Sequence, residues 1–176
     1  MTDFYSTFSE KELAILAARA SRVERAVHIE QGEHRIDVLT VNIHDEVYAL
    51  PVASILGVYE DVAITMLPGT PPFIAGVANV RGHLLTVLNL AAVLDIPGQQ
   101  GEKNAVVVAT SGTVQVGLLV DAAAEVITII QSKITPVARF NDNQQQAHLE
   151  GLLPDGTAFL DIDAILNDPG LVVDQS

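Results

Sequence analysis

Residues 105–121, AVVVATSGTVQVGLLVD, contain two apolar runs separated by a two-residue turn signal, Ser111-Gly112. After the turn, every second residue from Val114 to Val120 is a large aliphatic side chain. Such alternation places those side chains on one face of a β-strand. A short glycine-containing turn between two such runs is typical of a β-hairpin. The stretch therefore predicts a hairpin with Leu118 on its buried face.

The same pattern extends in both directions along the chain. Apolar runs of strand length recur, and Gly, Pro, Asn or Asp residues separate most of them. The strand candidates are LTVNIH (39–44), VYAL (47–50), FIAGVANV (73–80), HLLTVLNL (83–90), EVITII (125–130), LEGLL (149–153) and TAFLDID (157–163). Strands that follow one another without intervening helices disfavour a parallel α/β sheet and favour a mainly β barrel or sandwich. The Arg81-Gly82 and Ser111-Gly112 turns each link two apolar strands, which gives a faint twofold rhythm but no repeat that the sequence alone establishes.

An amphipathic helix is predicted over residues 9–28, ahead of the strands. Ser9 and Glu12 form an S-x-x-E capping box, and apolar residues then recur at helical spacing. The stripe consists of Leu13, Leu16, Ala17, Ala20, Val23 and Val27. An apolar stripe has to be buried, either on this chain's own domain or on a partner, and the sequence leaves both readings open.

Two shorter helices are predicted within and after the strands. They are AAVLDI (91–96) and AILND (164–168), the second with Asp163 as a candidate N-cap. The chain is accordingly divided into an N-terminal extension (residues 1–35), a β domain (36–168) and a tail (169–176).

Composition excludes several classes of protein. The chain has 176 residues, 49% of them hydrophobic and 18% charged, which fits one globular domain and not a disordered chain. It has no cysteine, so disulfides, thiolate metal sites and cysteine nucleophiles are excluded, and a reducing compartment fits. We expect no signal peptide and no membrane span, and therefore a cytoplasmic protein. The net charge of −13, with only nine scattered basic residues, disfavours nucleic acid and anionic lipid as partners.

No catalytic, cofactor or metal site emerges from the motifs. The chain has no G-x-G-x-x-G, no P-loop and no G-x-S-x-G elbow. Its five histidines have no second ligand-type residue at metal-binding spacing, and we expect them to be polar groups at the surface or at an interface. Asp161 and Asp163 would share one face of a strand, where we expect one to face solvent and the other to cap the final helix. We predict that the protein is not an enzyme and needs no cofactor.

Arg81 is the residue whose position suggests a function. It precedes Gly82 at the tip of a hairpin between two apolar strands, in a chain with few cations. A planar guanidinium in that place could bind carboxylates or carbonyls across an interface. The alternative is an ordinary solvated turn arginine.

Four blocks of this sequence, in order, resemble the CheW family of chemotaxis adaptors. The most specific block is Pro72-Phe73-Ile74-Ala75-Gly76, followed by Asn79-Val80-Arg81-Gly82 and an apolar strand. The others are VNIHDEVYALPVASILGVYE, AVVVATSGTVQVGLLVDAAAEVITI and LEGLLPDGTAFLDIDAIL, so the resemblance covers about residues 36–168. Two positions depart from the family pattern: Asn89 stands for an Asp and Ala91 for an Arg.

The resemblance implies two small five-stranded, SH3-like β-barrels packed around a shared apolar core. It also implies a non-enzymatic adaptor that links the cytoplasmic tips of methyl-accepting chemoreceptors to the regulatory domain of a CheA-type histidine kinase. Such an adaptor would be associated with the membrane through the receptor array, in a chemotaxis, twitching or phototaxis pathway. Because the kinase domain shares the fold, self-association is a further expectation.

At the level of single residues, Arg81 would take the coupling role that the resemblance assigns to the motif arginine. Asn79 and Gly82 would shape the hairpin, through a local hydrogen bond and a positive φ respectively. A second hypothesis, from another class, is a small-molecule-binding β-barrel sensor whose cleft takes an apolar ligand.

Overall fold

The computed structural model describes residues 14–15, 33–137 and 147–171 of the chain. Twelve strands and two short α-helices lie wholly within these ranges. The strands are β1 (Arg35–Ile43), β2 (Glu46–Pro51), β3 (Ile55–Glu60), β4 (Ile64–Thr65), β5 (Ile74–Val80), β6 (His83–Asn89), β7 (Ala105–Ser111), β8 (Val114–Val120), β9 (Ala122–Ile130), β10 (Thr135–Pro136), β11 (Leu149–Leu152) and β12 (Ala158–Leu160). The helices are α1 (Leu90–Val93) and α2 (Ile162–Leu166), and 3₁₀ turns form at Val52–Ser54, Gln131–Lys133 and Pro169–Leu171.

The strands form two six-stranded sheets, each with five main strands and one strand of two residues. One sheet has the order β10-β11-β12-β2-β1-β9, and the other β3-β7-β8-β6-β5-β4. In each sheet the two outer strands follow one another in the chain, β9 then β10 and β3 then β4, through connections of only a few residues. Such short connections bring opposite edges together, so each sheet curls into a small barrel. The mainly β fold class with two small barrels is confirmed. We call them the first barrel (β1, β2, β9–β12) and the second barrel (β3–β8).

The largest hydrophobic cluster is shared by both barrels. It takes buried side chains from β1 and β2 of the first barrel and from β3, β7 and β8 of the second. Each barrel also has a smaller cluster of its own, around Phe159 in the first and around Val106 and Leu119 in the second. The core is therefore a layer between two barrels, with a small apolar interior inside each.

This arrangement explains why β7 reads as a continuous apolar run. Ala105, Val107 and Ala109 face the shared core, whereas Val106 and Val108 face the interior of the second barrel. A strand buried on both faces has no polar side to alternate with.

The alternation predicted for β8 is only partly right, because one end of this strand is also buried on both faces. Leu118 is fully buried in the shared core, as predicted, but its neighbour Leu119 is buried too, in the second barrel's own cluster. At the other end of the strand Val114 is exposed. The connecting turn also lies one residue later than predicted, because Ser111 pairs directly with Val114 across Gly112 and Thr113.

The two short helices follow equivalent strands and begin at side-chain caps. Oδ1 of Asn89 accepts a hydrogen bond from the Ala92 amide at 3.3 Å, and Oδ1 of Asp161 accepts one from the Ala164 amide at 2.9 Å. Each cap satisfies a backbone donor that has no partner within its helix. The prediction that Asp163 caps the final helix is wrong: Asp161 is the cap, and Asp163 lies inside the first turn. The two carboxylates do not share a strand face, because β12 ends at Leu160.

Most of the predicted N-terminal helix lies outside the described residues, as do the apolar positions of its stripe. Ala14 and Ile15 are described and helical. Ile15 is 1% exposed and belongs to the shared core, although it is not a member of the predicted stripe. At this point, at least, the segment packs on its own chain. At the other end Leu171, in the residues assigned to the tail, also packs against the shared core.

Candidate functional site: the β5–β6 hairpin

The β5–β6 hairpin closes through a two-residue turn. Val80 pairs with His83, which leaves Arg81 and Gly82 as the connecting residues, with φ of 52° and 83°. Two positive φ values are what a type I′ turn requires, and this turn follows the natural twist of a hairpin. Glycine adopts such a φ at no steric cost, but arginine does not.

A side-chain hydrogen bond supports the turn. Oδ1 of Asn79 accepts from the Gly82 amide at 2.8 Å. Asparagine is suited to this bond because its short side chain reaches backbone donors a few residues ahead. The sequence-predicted residues Asn79, Arg81 and Gly82 thus meet in one turn, whose strained first position is occupied by the arginine.

Arg81 is exposed, and its guanidinium lies over an aromatic ring. The Cζ atom is 5.3 Å from the centroid of Tyr59, on β3. This distance is within the range of a cation–π contact. Sequence reasoning missed Tyr59, because β3 comes beside the hairpin only when the second barrel closes. No local pattern connects the two residues.

The surface near the turn carries an exposed apolar residue. Leu84 pairs with Asn79 across the hairpin and is 72% exposed. Met66, which follows β4 at the adjacent edge of the same sheet, is 81% exposed. These are the two most exposed large hydrophobic residues of the described ranges. A cation at a fixed position near exposed apolar side chains is a typical composition for a protein-binding site.

The second barrel also has an open cleft of about 730 Å³ at one end. Its lining includes residues 66–72, then Gln100, Gly101 and Asn104, with Ile64 and Leu119 among the apolar residues. Oδ1 of Asn104, which also lines the cleft, is buried and has no hydrogen-bond partner among the described residues.

The histidines lie apart from this hairpin, except for His83 next to the turn. His34 and His83 are exposed as predicted, whereas His28 lies outside the described residues. The expectation of a surface position is wrong for His148, which is 2% exposed and has Nε2 at 2.6 Å from Oδ2 of Asp168. Nδ1 of His44 lies 3.6 Å from Oδ2 of Asp121, which accepts a hydrogen bond from the His44 amide at 2.6 Å.

These pairs anchor chain segments. Partial burial opposes ionisation of Asp168, but the hydrogen bond from the Gly170 amide and the contact with His148 outweigh it and lower the pKa of that carboxyl. In residues 33–137 and 147–171, no three His, Asp or Glu side chains are grouped as metal ligands would be. In those ranges no helix is long and apolar enough to span a membrane.

Comparison with known proteins identifies the family. The CheW-like domain matches residues 37–170. The chain belongs to the CheW-like domain family. This family consists of non-catalytic adaptors of chemotaxis signalling.

Individual relatives agree with this assignment. The chemotaxis protein CheW of Thermotoga maritima is 31% identical over 134 residues, which are 75% of this chain and 88% of that protein. CheW of Bacillus subtilis is 32% identical over 107 residues, which are 60% of this chain and 67% of that protein. The crystal structure of the scaffolding protein TtCheW from Thermoanaerobacter tengcongensis superimposes with a TM-score of 0.68 at 26% identity, covering 78% of this chain and 96% of that one. The family resemblance and its two-barrel fold are confirmed.

The structure shows what stands at the two positions that depart from the family pattern. The side-chain amide oxygen of Asn89 caps α1. Ala91 is buried in the shared core and offers no charge at the surface. Any contact made through an arginine at that position is therefore absent from this chain.

Proposed function

We propose that this protein links the cytoplasmic tip of a methyl-accepting chemoreceptor to the regulatory domain of a CheA-type histidine kinase. The observation that carries the proposal is the type I′ turn, which presents Arg81 on the second barrel near the exposed Leu84. Membership of a family of chemotaxis adaptors supports the same conclusion. The adaptor acts by binding, without chemistry of its own.

The physical contribution of Arg81 is a charged hydrogen bond to the partner. Its planar guanidinium can donate two parallel N–H bonds to a carboxylate, or single bonds to backbone carbonyls. In a desolvated interface such a bond contributes roughly 1.5–3 kcal/mol. Leu84 adds apolar area close to the anchor, where burial excludes water from the ion pair.

The decisive measurement is the affinity of Arg81 variants for two purified partners. These are the kinase regulatory domain and a receptor fragment that contains the cytoplasmic tip, both from the organism of this chain. We expect Arg81→Ala to weaken binding of at least one partner roughly tenfold or more, since each 1.4 kcal/mol is about a factor of ten. Arg81→Lys should restore only part of the affinity, because an ammonium cannot reproduce the bidentate geometry.

Lys133→Ala is the matched control. It removes the same charge from an exposed position on the first barrel, and it should leave affinity unchanged. The melting temperature of Arg81→Ala should fall by only a few degrees, because the exposed contact with Tyr59 contributes roughly 0.5–1 kcal/mol. A large loss of stability would make Arg81 a structural residue, and full affinity with full kinase control would make it a solvated turn residue. Either result contradicts the proposal.

The proposed location follows from the proposed partners. A receptor-bound adaptor would be held at the cytoplasmic side of the membrane by the receptor and not by its own chain. Pairing with the kinase domain through a shared fold would also permit self-association, which sedimentation over a range of concentrations measures directly.

The cleft of the second barrel supports a second candidate function, a small-molecule sensor. Ile64 and Leu119 offer apolar contacts, and Oδ1 of Asn104 offers a buried acceptor. An apolar ligand with one hydrogen-bond donor suits that lining. A thermal-shift screen with such compounds tests this function: a ligand that stabilises the wild type but not Leu119→Ala would support it, and no hit would favour the adaptor alone.

A further inference from the structure

The contact between Arg81 and Tyr59 joins two strands that are far apart along the chain. Tyr59 lies on β3, an outer strand of the second barrel, and is half-buried against that barrel's own hydrophobic cluster. The guanidinium lies over its ring, with Cζ at 5.3 Å from the centroid. A partly buried ring has fewer accessible orientations than a solvated one, so it offers the cation a fixed surface.

Gly57 makes room for that ring. A Cβ atom at position 57 would lie 2.9 Å from both Cε2 and the hydroxyl oxygen of Tyr59, which is closer than real Cβ contacts. The tyrosine side chain therefore folds back over the backbone of Gly57, where any larger residue would displace it. The sequence Gly57-Val58-Tyr59 thus determines where the ring lies.

The other side of the contact is restricted as well. The backbone of Arg81 has φ of 52°, and the hydrogen bond from the Gly82 amide to Asn79 holds the turn. An arginine on a flexible surface loop loses rotamer freedom when a partner binds, which reduces affinity. A guanidinium already held over a ring loses less of this freedom when a partner binds.

We infer that Tyr59 is a positioning residue for Arg81, with Gly57 as the residue that sets the ring in place. The inference rests on the proposed function, because Tyr59 acts only through the binding of the partner by Arg81 and makes no contact of its own with that partner. It makes partner affinity depend on a residue outside the Arg81-Gly82 turn, on strand β3 of the same barrel.

The test is a double-mutant cycle that measures affinity for the purified CheA-type regulatory domain and for the receptor-tip fragment. Tyr59→Leu keeps apolar bulk but removes the π face, and should weaken binding roughly two- to fivefold, as the loss of a cation–π contact predicts. Tyr59→Phe keeps the ring and should retain wild-type affinity to within twofold. Gly57→Ala displaces the ring without altering either contact residue, and should weaken binding to a similar extent as Tyr59→Leu.

Non-additivity with Arg81→Ala distinguishes positioning from direct contact. In the Arg81→Ala background, Tyr59→Leu and Gly57→Ala should have no further effect on affinity. An equal loss in both backgrounds would mean that Tyr59 itself contacts the partner, and a loss in Tyr59→Phe equal to that in Tyr59→Leu would mean that the hydroxyl matters and not the ring face. Either outcome overturns the inference.

The melting temperature of each variant separates folding from binding. Wild-type affinity in a folded Tyr59→Leu protein would overturn the inference while leaving the proposed function intact, provided that Arg81→Ala still loses affinity. If Arg81→Ala binds both partners with wild-type affinity, the result contradicts the proposed function itself. The two failures are therefore distinguishable within one set of proteins.

Discussion

The two barrels have the same strand arrangement but use different parts of the chain to build it. The second barrel runs β3-β4-β5-β6-α1-β7-β8 without interruption. The first runs β9-β10-β11-β12-α2, and its final hairpin, β1–β2, comes from the start of the chain. In each barrel the strand that precedes the short helix makes a parallel pair: β6 with β8 in the second barrel, and β12 with β2 in the first. The barrels are thus related as circular permutations of one motif.

One backbone hydrogen bond and one register shift occur at equivalent positions in the two barrels. The Asn89 amide donates to the Phe73 carbonyl at 2.8 Å, and the Asp161 amide donates to the His148 carbonyl at 2.9 Å. The β5–β6 and β11–β12 hairpins each contain a register shift next to a glycine, Gly76 or Gly151. Because these features recur in both barrels, we attribute them to the fold that the barrels share.

The hairpin tips differ, and the difference indicates where function lies. β5 and β6 have seven residues each and end in Arg81-Gly82, whereas β11 and β12 have four and three and end in a turn that contains Asp155. The Asp155 carboxylate accepts a hydrogen bond from the Thr157 amide, which lowers its pKa and ties it to its own turn. One tip presents a cation over an aromatic ring; the other presents an anion bonded to its own backbone.

Disruption of the hydrophobic core that the two barrels share should cause the largest loss of stability. Leu118 is fully buried in the shared core. We expect Leu118→Asp to destabilise the protein by at least about 3 kcal/mol, because it buries an unpaired charge that both barrels contact. Urea denaturation measures the loss. A soluble variant with a near-native unfolding midpoint would contradict the assignment of a single shared core.

Substitution of Gly76 or Gly151, the glycines next to the two register shifts, should cause the next largest loss of stability. At Gly76, φ is 146° and an added Cβ would collide with the Thr65 carbonyl. At Gly151 an added Cβ would lie 2.6 Å from the Thr135 carbonyl oxygen, with no positive φ. We expect alanine to cost about 2–4 kcal/mol at Gly76 and less at Gly151, because only the first combines backbone strain with the collision. Thermal unfolding of Gly76→Ala and Gly151→Ala measures the two losses of stability. A larger loss at Gly151 would contradict the predicted order.

Removal of the helix caps, Asn89 and Asp161, should cause a smaller loss of stability. Asp161 makes the shorter bond and carries a charge that the helix start favours, whereas Asn89 is neutral. We expect alanine to cost about 1 kcal/mol at Asp161 and less at Asn89. Asn89→Asp should be neutral or slightly stabilising, and chemical denaturation of the three variants checks the order.

The smallest effect should be a pH-dependent one at the end of the first barrel. Since the folded-state pKa of Asp168 is lowered, its ionised form contributes stability at neutral pH. That contribution is lost as the pH falls from the usual carboxyl value of 3.8 through the lower folded value. Asp168→Asn should therefore be less stable than the wild type at pH 7 and should approach it below about pH 4. A constant difference between the two proteins across that pH range would contradict the lowered pKa of Asp168 in the folded protein.

The sequence alone determined the features that depend on neighbours along the chain. The β5–β6 and β7–β8 hairpins and the approximate positions of both short helices follow from local alternation and turn residues, because these act over two to four positions. The motif around Arg81 also indicated the family and the candidate site, since its residues are adjacent in the chain.

Only the tertiary structure decided what depends on barrel closure. The twofold rhythm seen in the sequence compares the β5–β6 and β7–β8 hairpins, whereas the true equivalent of β5–β6 is β11–β12, because permutation separates matching strands along the chain. The burial of both Leu118 and Leu119 requires two apolar environments, one on each side of β8, which a rule of alternation cannot predict. The contact of Arg81 with Tyr59 and that of His148 with Asp168 likewise join residues on different elements, which no local pattern in the sequence connects.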